Sequence, residues 1–210
     1  VLVTYNAQET LQECLDSIYN QEYQRIEIIV VDGASTDNTV SILQQNEKKL
    51  AFWKSEKDQG IYHAMNKALD YVKGEWIYFI GADDTLTWQF TLLLAELKDP
   101  NAIYYASVNK AAKIGINHQA IIYPAKLFSK YRYDIRYKIS ADHVLNMACR
   151  KEFPFVFKDY IIANYSDMGL SSRQKDTLFE SEKARLILKY FGLITFLRFQ
   201  FKLLKQKWFK

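Results

Sequence analysis

The sequence is poor in cysteine, proline and glycine, and these shortages exclude several classes of protein. Its 210 residues include two cysteines, three prolines and seven glycines. Cys14 and Cys149 are too few for the disulfide framework of a small secreted domain, and both fall in segments with helical spacing. Buried thiols in a reducing, cytoplasmic setting are therefore expected. No repeats, low-complexity segments or Pro/Gly/Ser-rich linkers are present, so no clean domain boundary is visible.

Long hydrophobic runs are also missing. No apolar run reaches the roughly 18 residues that a membrane-spanning helix needs. No stretch has the features of a signal peptide either. The chain starts without Met inside a strand-like run, so we expect residues to precede Val1. The composition, with 49% hydrophobic and 25% charged residues, is that of a globular protein of one domain or one domain plus a small appendage.

Strand-like and helical segments alternate through the first half of the chain, which predicts an α/β fold. A mostly parallel central sheet with helices on both faces follows from this alternation. The second half is less regular, with two short strands expected in Phe155–Tyr165 and a helix in Ile139–Lys151. Residues 174–210 are expected to be helical with a break near Gly192. The predicted strands of the first half are Val1–Tyr5, Ile26–Val31, Ala51–Lys54 and Glu75–Ile80.

Polar residues follow each of these four strands. Ligands bind at the carboxyl ends of the strands in parallel α/β sheets, so these residues are expected to converge on one edge. The four positions are Asn6, Asp32, the region around Asp58, and Asp83-Asp84.

The Asp83-Asp84 pair follows the apolar strand EWIYFI and is the first candidate for chemistry. Two adjacent carboxylates are costly to place together unless a cation neutralises them. Mg²⁺ and Mn²⁺ prefer oxygen ligands and commonly bridge carboxylates to phosphates. The alternative is a solvated acidic turn, but the preceding strand favours a metal site.

Three further residues have more than one interpretation. Asp32 can accept a hydrogen bond from a base or a ribose, or it can be a turn former. Asp142, near the start of a predicted helix, can be a general base or only a charge at the helix N-terminus. His118 can be a ligand, a substrate contact or a structural histidine.

The last 28 residues are basic and aromatic and contain no acid. This pattern is typical of a helix that lies in a membrane interface. The alternative is a helix packed on the core or on a second subunit. Because the basic residues are confined to this tail, nucleic acid is not an expected partner. They are Lys183, Arg185, Lys189, Arg198, Lys202, Lys205, Lys207 and Lys210.

The ordered set of motifs resembles the family 2 glycosyltransferases over most of Val1 to about Ser172. The resemblance is closest to the bacterial branch that builds exopolysaccharide and capsule repeat units, including the colanic acid type. Each motif is weak alone, but the order and spacing of the set are specific. The motifs are Thr4-Tyr5-Asn6, residues 30–39 (VVDGASTDNT), residues 55–62 (SEKDQGIY), Ala64-Met65-Asn66-Lys67, Gly74-Glu75-Trp76 and Asp83-Asp84.

The resemblance implies a GT-A fold and a role for each matching residue. Thr4, Tyr5 and Asn6 would line the nucleotide pocket, Asp32 would bind the base, and Asp58 would contact the nucleotide or sugar. Asp84 would bind the metal, and Asp83 would reach the ribose or the donor sugar. Asp142 would be the general base, with the pair His118-Gln119 facing the site. Met168–Ser171 would help to close it.

The resemblance further implies an inverting, metal-dependent transferase of the hexosyltransferase class that uses Mn²⁺ or Mg²⁺. Its donor would be a nucleotide-diphosphate sugar, with a UDP-sugar favoured, and its acceptor a saccharide or a polyprenyl-linked saccharide. We expect a catalytic domain over residues 1–172 and a basic amphipathic tail over residues 173–210. The protein would then be cytoplasmic and peripheral to the inner face of the plasma membrane.

Some residues depart from the family pattern. His63 stands where an acid is frequent, Gly81-Ala82 replaces Asn-Ser, and Met168 replaces Gly. The stretch after Tyr105 is short, which affects the acceptor side. A nucleotidyltransferase would carry a Gly-rich loop after the first strand, which is absent here. A catalytically degenerate scaffold of a membrane polysaccharide-assembly complex is the other alternative, although Asp84 and Asp142 are both present.

Overall fold

The computed structural model describes residues 1–109, 117–166 and 175–208. Four strands from the first half of the chain form a parallel sheet. Its strand order is β3-β2-β1-β5, and every neighbouring pair is parallel. This arrangement confirms the α/β class with a parallel sheet. The strands are β1 (Leu2–Thr4), β2 (Ile29–Asp32), β3 (Phe52–Ser55) and β5 (Ile80–Gly81).

Both faces of this sheet are covered. Along β2, Ile29 and Val31 belong to one hydrophobic core, whereas Val30 belongs to a second core on the opposite face. Burial of each such side chain contributes roughly 1.5–3 kcal/mol. The helices are α1 (Leu11–Tyr19), α2 (Thr39–Asn46), α3 (Ile61–Ala68), α4 (Gln89–Ala95), α5 (Ala141–Cys149), α6 (Thr177–Phe191) and α7 (Leu193–Trp208).

A second sheet of mixed direction extends the molecule, with the order β4-β8-β7-β9-β6. Only β7 and β9 pair in parallel, and the remaining neighbours are antiparallel. The prediction of two short strands in Phe155–Tyr165 is wrong, because this segment forms the single ten-residue strand β9. The strands are β4 (Trp76–Tyr78), β6 (Thr85–Leu86), β7 (Ile103–Val108), β8 (Ile121–Pro124) and β9 (Phe155–Asn164).

The two C-terminal helices differ in their attachment. Phe179 and Leu186 of α6 are buried in the same core as Tyr137 and Val144. The contacts of α7 are mainly with α6, from which Gly192 separates it. Among the helices within residues 1–109, 117–166 and 175–208, none combines the length and the hydropathy that a transmembrane segment requires.

The two cysteines are both buried and free, as the sequence predicts. Cys14 lies on the buried face of α1 and Cys149 at the end of α5. Burial raises the pKa of both thiols, which keeps them protonated and unreactive at neutral pH.

Candidate active site

Four parallel strands bring the candidate residues to one edge of the first sheet. Thr4 and Asp32 are the last residues of β1 and β2, and they are partners in the strand register. Asp58 follows β3, and Asp83 follows β5. The sheet therefore places these four residues, Thr4, Asp32, Asp58 and Asp83, at its carboxyl edge.

Asn6 forms two of the hydrogen bonds that tie the loops after β1 and β2 to each other. The backbone N–H of Asn6 donates to Ser35 Oγ at 2.7 Å, and Asn6 Oδ1 accepts from the Thr36 N–H at 2.9 Å. Asn6 and Ala34 both have left-handed backbones, with φ of 48° and 64°. Such a conformation costs about 1–2 kcal/mol for a residue like alanine. These hydrogen bonds hold both loops in that shape.

Asp32 lies inside this loop structure and is fully buried. Its Oδ2 accepts from the Ser35 N–H at 2.9 Å and from Ser55 Oγ at 2.6 Å. Its Oδ1 accepts from Ser35 Oγ. Asp32 thus links the ends of β2 and β3, and its contact with a base stays a prediction.

Asp58 approaches the neighbouring loop because Gly33 has no side chain. A Cβ atom on Gly33 would lie 2.8 Å from Asp58 Oδ2 and 3.3 Å from Tyr5 Cδ2. Asp58 Oδ1 accepts from the Gly60 N–H at 2.7 Å. Tyr5 is 63% exposed, so it presents an open aromatic face beside the carboxylate. An aromatic ring next to a hydrogen-bond acceptor is suited to a nucleobase.

The Asp83 and Asp84 carboxylates meet over Gly81. A Cβ atom on Gly81 would lie 2.8 Å from Asp83 Oδ1 and 2.9 Å from Asp84 Oδ2. Asp84 is 1% exposed, and its Oδ1 accepts from the Ser166 N–H at 2.9 Å. Its Oδ2 has no hydrogen-bond partner within the described residues.

Burial is the main cause that raises the pKa of Asp84 to about 6, and the nearby Asp83 adds to it. Hydrogen bonds from the Ser166 and Gly81 backbone act in the opposite direction. The pair therefore places two neighbouring negative charges, one of them buried, that these hydrogen bonds offset only in part and that a cation would stabilise.

These features fit Mg²⁺ or Mn²⁺ held by Asp84 and Asp83. Within residues 1–109, 117–166 and 175–208, no group of three or more His, Cys, Asp or Glu side chains could surround an ion. Mg²⁺ is usually held by one or two carboxylates together with substrate phosphates. An unpaired carboxylate oxygen beside a second carboxylate matches that mode of binding.

Asp142 lies in the first turn of α5 and is 6% exposed. The Tyr62 hydroxyl lies 2.8 Å from Asp142 Oδ1 and 2.7 Å from the Ile139 carbonyl oxygen. Burial first, and then the Asp142 carboxylate, raise the pKa of Tyr62 well above its ordinary value. Tyr62 therefore keeps its proton and orients Asp142 as a hydrogen-bond donor.

The turn at His118–Ala120 connects the two carboxylate centres. His118 Nδ1 lies 3.9 Å from Asp142 Oδ2, and the Gln119 side chain is close enough to lower the pKa of Asp84. Adjacent residues of one turn thus face the candidate base and the candidate metal ligand.

His118 is held as a neutral ring. Burial lowers the pKa of His118, and the neighbouring Asp142 only partly offsets this effect. Its ring stacks on Phe79 with 5.7 Å between centroids. Neither ring nitrogen has a hydrogen-bond partner among the described residues. A buried polar ring without partners at the edge of the site is suited to a substrate hydroxyl.

The sequence did not indicate the positioning role of Tyr62 or that of Asp176. Asp176 Oδ1 accepts from the Phe179 N–H at the start of α6. Its Oδ2 accepts from the N–H groups of Ile139 and Ser140, just before Asp142. An acid directly before a helix was the available signal, but its second contact depends on the tertiary fold. The predicted closing element Met168–Ser171 lies outside the described residues.

Residues 1–155 match the sequence model of the protein family described as Glycosyl transferase family 2. The chain belongs to this family. A PGL/p-HBAD biosynthesis glycosyltransferase of Mycobacterium bovis is 30% identical over 195 residues, which cover 80% of this chain and 76% of the relative. A match of this extent shows that the chain is a glycosyltransferase homologue.

Two solved structures show the fold of this family 2 chain. S. aureus TarS superimposes with a TM-score of 0.73 at 19% identity, over 90% of this chain and 64% of TarS. TarS has also been solved in complex with UDP-GlcNAc. The mannosyltransferase PcManGT from Pyrobaculum calidifontis, in complex with GDP-Man and Mn²⁺, gives a TM-score of 0.67 at 19% identity, over 91% of this chain and 61% of that one. These likenesses confirm the GT-A fold.

Proposed function

We propose that this family 2 protein is an inverting, metal-dependent glycosyltransferase that uses a nucleotide-diphosphate sugar. One observation carries the proposal. His118 and Gln119 are adjacent in one turn: His118 Nδ1 lies 3.9 Å from Asp142 Oδ2, and the Gln119 side chain is close enough to Asp84 to lower its pKa. A diphosphate at the Asp83-Asp84 pair and an acceptor hydroxyl at Asp142 would place the anomeric carbon between them.

Thr4, Tyr5, Asn6, Asp32 and Asp58 form the proposed nucleotide pocket. The open ring of Tyr5 offers a stacking surface, and the buried Thr4 Oγ1 has no partner within the described residues. Asp32 gives the pocket its shape through its three hydrogen bonds. We favour a UDP-sugar as the donor, which the TarS complex with UDP-GlcNAc supports. The GDP-Man complex of PcManGT makes GDP the necessary control.

Asp142 is the proposed general base. It takes the proton of the acceptor hydroxyl while the acceptor oxygen attacks the anomeric carbon from the face opposite the diphosphate. The bond between that carbon and the diphosphate oxygen breaks, so one displacement inverts the configuration. Tyr62 orients the carboxylate, and neutral His118 is placed to contact a substrate hydroxyl. A divalent cation bound by Asp84 and Asp83 would stabilise the charge of the departing nucleoside diphosphate.

The proposed acceptor is a saccharide or a polyprenyl-linked saccharide of cell-surface polysaccharide synthesis, such as an exopolysaccharide of the colanic acid type. The relative named as a PGL/p-HBAD biosynthesis glycosyltransferase supports a role in biosynthesis in general terms. We place the enzyme in the cytoplasm, peripheral to the inner face of the plasma membrane. Residues 1–172 are proposed as the catalytic domain and residues 173–210 as the tail that meets the membrane.

The substitution Asp142→Asn tests the chemistry. We expect water to react slowly in place of the acceptor, so that release of UDP from a panel of UDP-sugars measures turnover without knowledge of the acceptor. We expect the variant to bind UDP as the wild type does and to release it roughly 10²–10⁴-fold more slowly. Asp159→Asn, at an exposed position, is the matched control and should leave the rate unchanged. An Asp142→Asn enzyme with the wild-type rate would remove Asp142 as the base.

A further inference from the structure

The helix α7 presents an apolar surface that the fold does not use. Five of its side chains are between 56% and 70% exposed, and helical spacing places them within an arc of about 100°. Phe196 and Phe199, on another side of the helix, are only partly exposed. We name the exposed arc the outer face. It consists of Leu193, Ile194, Leu197, Phe201 and Leu204.

Basic side chains border the outer face along one side. At about 100° per residue, Arg198, Lys202 and Lys205 follow the apolar arc directly around the helix. No acidic residue occurs between Lys183 and Lys210, and none of the three basic side chains forms an ion pair within the described residues. Lys205 Nζ lies 5.2 Å from the centroid of the Phe201 ring, at the boundary between the two surfaces.

We propose that the outer face of α7 binds the surface of a membrane that contains anionic lipids. Its apolar side chains enter the interface, and Arg198, Lys202 and Lys205 remain at the level of the headgroups. Anionic headgroups would pair with these three cationic side chains, which form no ion pair within the described residues. The membrane contact of the proposed function is thereby assigned to one face of one helix. It rests on the proposed function only for the identity of the membrane surface, the inner face of the plasma membrane.

The same charges argue against a second copy of the chain as the occupant. A twofold contact through the outer face would bring two identical basic borders together. Like charges in an interface weaken association unless acidic groups compensate them, and α7 contains no acidic residue. A lipid surface covers the apolar arc without this repulsion.

Co-sedimentation of the full chain with lipid vesicles tests the proposal. The probes are phosphatidylcholine vesicles with and without about one third phosphatidylglycerol. We expect partitioning onto the anionic vesicles to be about 10- to 100-fold stronger, and to weaken as salt is raised. Equal partitioning onto both kinds of vesicle, or none onto either, would overturn the proposal.

Two variants separate charge from apolar contact. The triple variant Arg198→Gln, Lys202→Gln, Lys205→Gln should reduce anionic partitioning by about 10- to 100-fold. Its matched control removes the same number of exposed charges elsewhere, with Lys48→Gln, Lys73→Gln and Lys98→Gln, and should lose much less. Equal losses in the two triple variants would show that total charge, and not α7, causes the binding.

The double variant Leu197→Ser, Phe201→Ser should abolish partitioning, whereas Trp88→Ser, at a 70% exposed position off the helix, should not. Calorimetric binding of UDP must be retained in all variants, which separates a failure of this inference from a failure of the proposed chemistry. A dimer in sedimentation equilibrium that the Leu197→Ser, Phe201→Ser variant dissociates, without vesicle binding by the wild type, would assign the outer face to self-association instead.

Discussion

Asp84 combines a buried carboxylate, a neighbouring carboxylate and an oxygen without a hydrogen-bond partner in the described part of the chain. Its pKa is raised from 3.8 to about 6, mainly by burial. A group of this kind favours folding below its unfolded pKa and opposes it as the pH rises through the folded value. The metal-free protein is therefore destabilised by Asp84 above about pH 6.

The substitution Asp84→Asn should stabilise the metal-free protein, because a neutral amide replaces the buried charge. The gain should approach about 3 kcal/mol above pH 6 and vanish near pH 4, since each pKa unit corresponds to about 1.4 kcal/mol. Urea unfolding at a series of pH values in EDTA measures it. A gain in the free energy of unfolding that does not depend on pH would show that the charge of this carboxylate is not the cause of the destabilisation.

Tyr62 acts through Asp142, to which its hydroxyl donates a hydrogen bond of 2.8 Å. Tyr62→Phe removes that donor and should lower kcat by about 10- to 100-fold, because hydrogen bonds to charged groups contribute about 1.5–3 kcal/mol. KM for the UDP-sugar should not change, since Tyr62 is placed at the base and not at the nucleotide. UDP release kinetics measure both constants.

The exposed Tyr71 supplies the control, because Tyr71→Phe makes the same chemical change away from the site. If both variants keep the wild-type kcat, Tyr62 has no positioning role. A Tyr62→Phe variant with a raised KM alone would place its hydroxyl on the donor.

At the scale of elements, Asp176 joins the start of α6 to the segment before α5. Although burial acts to raise the pKa of Asp176, hydrogen bonds from the Ile139, Phe179 and Ser140 N–H groups hold it below its ordinary value. One carboxylate thus caps a helix and fixes the backbone that leads into Asp142.

The substitution Asp176→Ala should lower the free energy of unfolding by about 2–3 kcal/mol, because the helix cap and the hydrogen bonds to Ile139 and Ser140 are both lost. The rate of UDP release should fall with it, whereas UDP affinity should not. Asp176→Asn keeps one acceptor oxygen for the cap and should recover part of both. Lost stability with an unchanged rate would limit Asp176 to a structural role.

Elements also differ in how far the sequence predicts them. The parallel sheet is predictable because β-branched runs such as Ile26–Val31 alternate with amphipathic helices. The second sheet is not, because its pairs join distant segments, as Trp76 with Pro124 and Thr85 with Asn164. The ten-residue β9 was expected as two strands for the same reason, since its partners lie far away in sequence.

The same limit applies to the candidate site. Asp32 and Asp84 were identified because each follows a strand, and the common edge of a parallel sheet is a local consequence of that pattern. The contacts of Tyr62 with Asp142 and of Asp176 with Ile139 span 80 and 37 residues. They depend on how α3, α5 and α6 pack, which the spacing of apolar residues does not specify.

For the whole molecule, we propose that the carboxyl edge of the first sheet binds a nucleoside diphosphate through a divalent cation. The proposed nucleotide pocket and the Asp83-Asp84 pair lie on this edge, and Asp142 faces it across the turn at His118–Ala120. In the C-terminal part of the chain, Asp176 joins the start of α6 to the segment before Asp142. The last helix, α7, follows α6 and contacts mainly α6.

This binding mode can be measured by calorimetric titration of UDP into the wild type and Asp84→Asn, each with and without Mn²⁺ and with GDP as the control nucleotide. We expect Mn²⁺ to strengthen UDP binding by the wild type at least about tenfold, and Asp84→Asn to lose this gain. GDP binding in place of UDP would be consistent with the proposed transferase but would change the proposed donor from a UDP-sugar to a GDP-sugar. Absence of binding by either nucleotide, or an equal effect of Mn²⁺ on Asp84→Asn, would show that this edge of the sheet does not bind a nucleoside diphosphate through a cation held by Asp84.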